Sequence, residues 1–169
     1  MTGIPEVEAG DRLGTTIVTA AERQDTPLEP GDILVVTQKI VSKAEGRIAD
    51  LRDIEPSEFA CQLAKESGSD SRLVELVLRE SRSIVRMDLS RGIMITETKH
   101  GFICANAGID TSNVSGDSLV SLLPEDPDES ARRIREEVRL ALPGTDLAVI
   151  ISDTFGRAWR EGHVNFAVG

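Results

Sequence analysis

Asp146-Leu147-Ala148-Val149-Ile150-Ile151-Ser152-Asp153-Thr154-Phe155-Gly156-Arg157-Ala158-Trp159-Arg160 joins a short apolar run to a cluster of polar and charged residues. The run from Leu147 to Ile151 is rich in β-branched residues and predicts a strand buried on both faces, although so short a run leaves some ambiguity. The strand is expected to stop at Ser152, which places Asp153 and Thr154 at its exit. A carboxylate and a hydroxyl held there suit a hard cation, and a nearby arginine can meet phosphate. The alternative is that Asp153 and Thr154 cap a following helix or turn.

Composition and charge predict an acidic globular protein. Of the 169 residues, 40% are hydrophobic and 28% charged, which is typical of a folded chain, and the length suggests one domain. The net charge of −10 and the 3% aromatic content disfavour binding to nucleic acid or to an anionic membrane. The sequence has neither a signal peptide nor a long apolar span, so we expect a cytoplasmic protein. Cys61 and Cys104 are in no metal-site spacing, and both are expected to be buried.

A second polar segment follows a predicted strand. Residues 32–37 are a β-branched run that predicts a buried strand, and residues 38–48 follow it with two lysines. If a helix begins here, Lys39 and Lys43 share one face, where they can address an anion near the helix N-terminus. The alternative is an ordinary pair of solvated lysines.

A third polar segment lies after a predicted hairpin. Residues 83–87 and 92–98 are expected to be strands, and the turn Lys99-His100-Gly101 leads into another strand at residues 102–105. Residues 106–114 then contain Asp110 and Asn113. Both side chains carry oxygen and can bind a ligand, but Asp and Asn are also common turn residues.

The remaining pattern alternates helices with strands. Apolar residues at helical spacing predict helices over residues 11–21, 56–67, 73–78 and about 130–142. Asp11 is expected to cap the first helix, and Asp128 or Ser130 the last. We therefore predict an α+β fold with mixed, largely antiparallel sheets and flanking helices. The sequence has no Gly-x-Gly-x-x-Gly, Walker-type loop or nucleophile elbow.

Five sequence blocks, taken together and in order, identify a protein family more specifically than any one of them does alone. In chain order they are residues 3–6 (Gly-Ile-Pro-Glu), 31–47 (Gly-Asp-Ile-Leu-Val-Val-Thr-Gln-Lys-Ile-Val-Ser-Lys-Ala-Glu-Gly-Arg), 106–114 (Asn-Ala-Gly-Ile-Asp-Thr-Ser-Asn-Val), 122–128 (Leu-Leu-Pro-Glu-Asp-Pro-Asp) and 151–160 (Ile-Ser-Asp-Thr-Phe-Gly-Arg-Ala-Trp-Arg). This series closely resembles the coenzyme F420-0:γ-glutamyl ligase family. The resemblance covers essentially the whole chain.

The resemblance implies a GTP-dependent ligase of coenzyme F420 biosynthesis. Such an enzyme joins L-glutamate to coenzyme F420-0 through an acyl phosphate, and adds further glutamate by a γ-linkage. It also implies two Mn²⁺ or Mg²⁺ ions per site, K⁺, and an intertwined homodimer. By resemblance, Asp110 and Asp153 hold the first metal ion and Thr154 serves the second. The implied GTP contacts are Ile4, Pro5, Glu6, Val7, Gln38, Lys43 and Asn113. No nucleophilic side chain is implied.

The same resemblance carries an expectation about the extent of the chain. Residues 1–169 are expected to form a single ligase domain that lacks the family's first strand and its C-terminal portion. The alternative is a truncated homologue that folds, or binds nucleotide and metal, without turnover. In some relatives a flavin-dependent reductase domain follows the ligase domain.

Overall fold

The computed structural model describes residues 1–111, 118–156, 162 and 164–169. The helices are α1 (Leu13–Arg23), α2 (Gln38–Ala44), α3 (Glu58–Ser67), α4 (Ser71–Arg79) and α5 (Pro127–Ala141). The strands are β1 (Ile33–Thr37), β2 (Ile48–Asp50), β3 (Ser81–Asp88), β4 (Ile93–Thr98), β5 (Ile103–Ala105), β6 (Leu119–Ser121), β7 (Ala148–Phe155) and β8 (Val164–Ala167). The predicted α+β class is confirmed. None of the described helices has the length and apolarity needed to cross a membrane.

The described strands form three small sheets, in the orders β1-β7-β8, β2-β6 and β3-β4-β5. The strands β1 and β7 run parallel, whereas β2 with β6 and the β3–β4–β5 strands pair antiparallel. The chain divides into two compact units. The first contains Met1–Arg47, Leu123–Asp153 and Phe166–Gly169, and the second contains Ile48–Leu122 and Thr154–Asn165. The expectation of one ligase domain over residues 1–169 stays a prediction.

The core of the first unit lies between its sheet and the helices α1 and α5. Val18, Val138 and Leu147 form the buried centre, and Leu34 from β1 packs against them. The other face of β1 is open in this chain, because Val35 is 62% exposed. The prediction that residues 32–37 form a buried strand is therefore wrong for this face of β1.

The strand β7 departs from the prediction in the same way. Its central residue Ile151 is fully buried, but its first residue, Ala148, is exposed. Side chains along a strand point alternately to its two faces. The helices α1 and α5 cover one face only within this unit, so an unbroken apolar run produced a half-buried strand.

The second unit packs α3 and α4 against the β3–β4–β5 sheet. Its main cluster of buried apolar side chains contains Ala60, Leu63, Ala64, Val74, Val77, Met94 and Ala107. The predicted hairpin is confirmed, since β4 and β5 pair antiparallel and the Thr98 N–H donates to the Phe102 carbonyl at 2.8 Å.

Two predicted helix caps and one predicted cysteine environment are wrong. The Asp11 carboxylate accepts from the Glu8 N–H at 2.9 Å instead of capping α1. The helix α5 is capped by Asp126, which accepts from the Glu129 N–H at 2.8 Å. Pro127 follows as the first helical residue, and its fixed φ moves the helix start ahead of the predicted caps. Cys104 is buried as expected, but Cys61 is exposed.

The close approach of α1 to α5 depends on Gly14. A Cβ added there would lie 2.5 Å from Glu137 Cβ and 2.7 Å from the Ile134 carbonyl oxygen. In an isolated helix, Gly to Ala stabilises by about 1 kcal/mol. We expect the opposite sign for Gly14→Ala, a loss of roughly 2 kcal/mol in the free energy of unfolding, because the methyl group separates the helices. Urea denaturation tests this, with the exposed Thr15→Ala as the matched control. A stabilised Gly14→Ala would contradict the packing.

A carboxylate in the second unit predicts a pH dependence of stability. Glu75 accepts from the Ser57 hydroxyl at 2.6 Å, the Ser57 N–H at 3.0 Å and Arg79 Nε at 2.8 Å. These bonds, the Ser57 hydroxyl first, lower the pKa of Glu75 from 4.5 to about 2. A depressed pKa stabilises the folded state above the ordinary pKa, and the contribution is lost as pH falls from 4.5 through about 2.

We therefore expect Glu75→Gln to lower the free energy of unfolding by roughly 2 kcal/mol at neutral pH. The difference from the wild type should shrink as the pH is lowered below the ordinary pKa. Denaturant titrations over a pH series measure it, and the exposed Glu22→Gln is the control. A difference that does not change with pH would contradict a role for the charged carboxylate.

Candidate functional site

The pairing of β1 with β7 ends at Thr37 and Ser152, at one edge of the sheet in the first unit. The two strands run parallel, with Thr37 aligned with Ser152. Gln38 follows Thr37 as the first residue of α2, and Asp153 follows Ser152 on β7. Ligands of open α/β sheets bind outside the carboxyl ends of the strands. The pairing therefore places two of the predicted site residues where a ligand is expected.

The strand β7 does not end where the sequence predicted. Asp153 and Thr154 lie inside it, and it continues to Phe155. The strand-exit interpretation is therefore wrong. The capping interpretation concerns a following segment that extends outside the described residues, and it stays untested. Thr and Phe favour strands. The Thr154 hydroxyl also donates a hydrogen bond to Asn165 Oδ1 of β8 at 2.6 Å, so the neighbouring strand holds this segment extended.

Strand geometry separates the side chains of Asp153 and Thr154. Successive side chains of a strand point to opposite faces, so these two cannot both reach one cation from a regular strand. The assignment of the two residues to different metal ions is compatible with this alternation. Asp153 is partly buried, whereas Thr154 is exposed.

The loop at residues 4–7 is joined to α2 in the first unit. Lys43 forms an ion pair with Glu6, in which the lysine side chain is 21% exposed and the glutamate side chain 73%. The Gly10 N–H donates to the Ala44 carbonyl at 2.8 Å, which ties the chain after the loop to the end of α2. Val7 is buried. The predicted nucleotide loop and the predicted phosphate contact Lys43 are thus brought together.

Gln38 is a buried polar member of the predicted set. Its side chain is fully buried, and Nε2 donates to Ser42 Oγ at 2.7 Å. The segment does form a helix, α2, which was the condition for Lys39 and Lys43 to share a face, and it places them one turn apart. Ser42 was not found by sequence reasoning, because a serine inside a lysine-containing helix gives no signal of its own.

Asp110 lies in the second unit after a turn of left-handed backbone. Asn106, Ala107 and Gly108 have φ angles of 50°, 54° and 70°. Such angles are costly for residues other than glycine, and strained backbone is often found near functional sites. Asp110 then pairs with Ser121 in an antiparallel bridge.

The segments that carry Asp110 and Thr154 are hydrogen-bonded together within the second unit. The Ala105 N–H donates to the Gly156 carbonyl at 2.9 Å. The rings of Phe102 and Phe155 also lie 6.4 Å apart. The start of the turn that leads to Asp110 is therefore held beside the end of β7.

Some of the candidate residues lie in segments that the structure does not describe. Asn113, Arg157 and Arg160 lie outside the described residues. In the described part of the chain, no three His, Cys, Asp or Glu side chains gather into a group that could hold a metal ion. The predicted ligands are two carboxylates and one hydroxyl. These are hard oxygen donors, which Mg²⁺ and Mn²⁺ prefer.

The structure is that of an α+β protein in which Gln38 and Asp153 lie at one edge of the β1–β7 pairing. Residues 3–169 match the family model described as F420-0:gamma-glutamyl ligase. The chain belongs to the F420-0:gamma-glutamyl ligase family.

Relatives in three organisms carry the same name, coenzyme F420:L-glutamate ligase. The chain is 48% identical over 167 residues to the protein of Methanothermobacter thermautotrophicus, covering 99% of this chain and 65% of that protein. It is 48% identical over 164 residues to that of Methanopyrus kandleri, covering 97% and 62%. It is 40% identical over 166 residues to that of Methanocaldococcus jannaschii, covering 98% and 63%. The chain thus spans less than two thirds of the length of these relatives.

The left-handed turn before Asp110 can be tested by glycine substitution. Ala107 is 2% exposed, and its left-handed backbone costs about 1–2 kcal/mol. In Ala107→Gly the relief of this cost offsets the lost methyl group, so we expect the free energy of unfolding to change by less than about 1 kcal/mol. The matched control is Ala64→Gly in α3, which loses a buried methyl group and helix propensity and should cost roughly 2 kcal/mol. Equal losses in both variants would contradict the turn.

Proposed function

We propose that this chain is the nucleotide- and metal-binding part of a ligase that joins L-glutamate to coenzyme F420-0, with GTP as co-substrate, in coenzyme F420 biosynthesis. Further glutamate is added through a γ-linkage. The observation that carries the proposal is the parallel alignment of β1 with β7, which sets Gln38 and Asp153 at one sheet edge. Family membership and the printed name of the relatives support the same reaction.

The chemistry needs activation of a poor acyl donor. An oxygen of the coenzyme carboxylate attacks the γ-phosphorus of GTP, and GDP leaves, so that an acyl phosphate forms. The glutamate amine then attacks the acyl carbon, phosphate leaves and the amide bond forms. No side chain has to act as a nucleophile, so the protein's task is to position the reactants and offset their charge.

Lys43 is the phosphate-binding group of this proposal. Its ammonium group is paired with Glu6, a carboxylate on the loop at residues 4–7. A phosphate oxygen can replace that carboxylate, because both are anionic acceptors for the same ammonium group. The loop residues Ile4, Pro5, Glu6 and Val7 are proposed to follow the nucleotide, as are Gln38 and Asn113. Since Gln38 Nε2 is engaged by Ser42, a side-chain contact from Gln38 uses its amide oxygen or requires that bond to open.

Asp110 and Asp153 are proposed to hold the first divalent ion, Mn²⁺ or Mg²⁺, and Thr154 to serve the second. Their oxygen donors fit these ions, and K⁺ is proposed as an additional ion. When bound, the divalent ions neutralise phosphate charge and orient the γ-phosphate. Local cations matter here because the chain's net charge of −10 repels a nucleotide.

A homodimer is proposed for the assembled enzyme, and the cytoplasm for its location. Ile33 and Val35 support the dimer, since they are 65% and 62% exposed on the open face of β1 in a single chain. Apolar side chains adjacent on a sheet face are typical of a surface that another chain covers.

Thermal unfolding with nucleotide and metal tests the proposed site. We expect GDP with Mn²⁺ to raise the melting temperature more than either alone or than ADP with Mn²⁺, because only the native state binds them. At a ligand concentration one hundred times Kd, linkage stabilises by about 2.7 kcal/mol. Asp153→Asn and Lys43→Met should lose the rise.

The matched control is Asp146→Asn, near the opposite end of β7, where Asp146 pairs with Arg135 at 2.5 Å. This variant should keep the full rise. A rise that does not depend on guanine, or one that survives in Asp153→Asn, would contradict the proposal.

A further inference from the structure

Ser121 carries a buried hydroxyl group that the proposed reaction does not use. Its side chain is in β6, and the residue is 2% exposed. Among the described residues, Ser121 Oγ has no hydrogen-bond partner. A buried hydroxyl without a partner is costly to the folded state, so such a group usually has a partner in some functional state.

The backbone places this hydroxyl opposite Asp110. The Asp110 N–H donates to the Ser121 carbonyl at 3.0 Å, and the Ser121 N–H donates to the Asp110 carbonyl at 2.9 Å. Two residues that exchange both bonds are directly opposed, with their side chains on the same face of the ladder. Their Cβ atoms then lie about 4.5–5.5 Å apart, which is within reach of a hydroxyl-to-carboxylate hydrogen bond.

The neighbouring residues determine which face of the ladder carries the side chains of Asp110 and Ser121. Ile109 packs against the two apolar clusters of the second unit, and Val120 and Leu122 belong to one of them. Side chains alternate along each strand, so Asp110 and Ser121 both point away from these clusters. Neither can turn to the other face without a register shift, which would expose three apolar side chains.

We propose that Ser121 is a positioning residue for the Asp110 carboxylate. Its hydroxyl would donate a hydrogen bond to one oxygen of the Asp110 carboxylate, and this bond would fix the carboxylate so that the other oxygen is available to a divalent ion. The inference rests on the proposed function, in which Asp110 is a metal ligand. Groups that hydrogen-bond to a metal ligand typically contribute 10- to 100-fold to metal affinity.

If Ser121 has this role, its substitution should weaken metal binding without lowering the stability of the fold. Ser121→Ala removes a buried hydroxyl that has no hydrogen-bond partner among the described residues, so the melting temperature measured without added Mn²⁺ should be unchanged or higher. The same variant should weaken Mn²⁺ binding by about 10- to 100-fold, because the carboxylate loses its donor. A residue that serves packing alone would not give this combination.

Thr96 provides a matched control. It is fully buried in β4, and its Oγ1 also lacks a hydrogen-bond partner in the described ranges. It is paired with Cys104 and Ile84, which are not among the proposed metal ligands. Thr96→Val keeps the shape of the side chain and should leave Mn²⁺ affinity unchanged.

The experiment is a titration of the chain with Mn²⁺ alone, followed by the electron paramagnetic resonance signal of free Mn²⁺. The wild type, Ser121→Ala, Thr96→Val and Asp110→Asn are compared. Weaker binding in Ser121→Ala and Asp110→Asn, with normal binding in Thr96→Val, supports the role of Ser121. Wild-type affinity in Ser121→Ala combined with lost affinity in Asp110→Asn would overturn this inference and leave the metal site standing. If the wild type binds no Mn²⁺, the metal site of the proposed function and this inference both fail.

Discussion

The parallel pairing of β1 with β7 is the interaction on which the candidate site depends. Residues 33–37 and 148–152 are aligned one to one, so the paired segments end at the same edge, beyond which β7 continues to Phe155. The pairing fixes where α2 begins and where Asp153 lies. A shift of one residue would turn Leu34 and Val149 away from the core and move Asp153 to the other face of the strand. The apolar core and the polar edge therefore specify the same register.

The acidic net charge of the chain is a second constraint on the candidate nucleotide site. An acidic chain attracts a nucleotide only through local cations, and Lys43 at the end of α2 is placed to supply one. Its ion pair with Glu6 links the lysine to the loop at residues 4–7. Surface ion pairs contribute little to stability, about 0–1 kcal/mol, so this contact can be exchanged for a phosphate at low cost. In the proposed function, this ion pair holds the loop beside Lys43 before the nucleotide binds.

The sequence allowed most elements to be predicted, but not their burial or their ends. Apolar runs and helical spacing located α1, β1 and the β4–β5 hairpin, because these signals are local. The exposure of Ile33 and Val35 depends on which face the helices cover, and that is decided by tertiary packing. Asp126 caps α5 instead of Asp128, because Pro127 is the first helical residue and so fixes where the helix begins. For the site, the resemblance supplied Asp110, Asp153 and Lys43. The orphaned Ser121 hydroxyl is visible only once the bridge to Asp110 is known.

Anomalous diffraction at the manganese edge, from crystals grown with GDP and Mn²⁺, tests the central claim most directly. The account predicts a manganese peak bonded to the Asp153 carboxylate, with the nucleotide phosphates against Lys43 and the loop at residues 4–7. Manganese and nucleotide bound elsewhere, with neither Asp153 nor Lys43 in contact, would contradict the claim that the paired ends of β1 and β7 build the site.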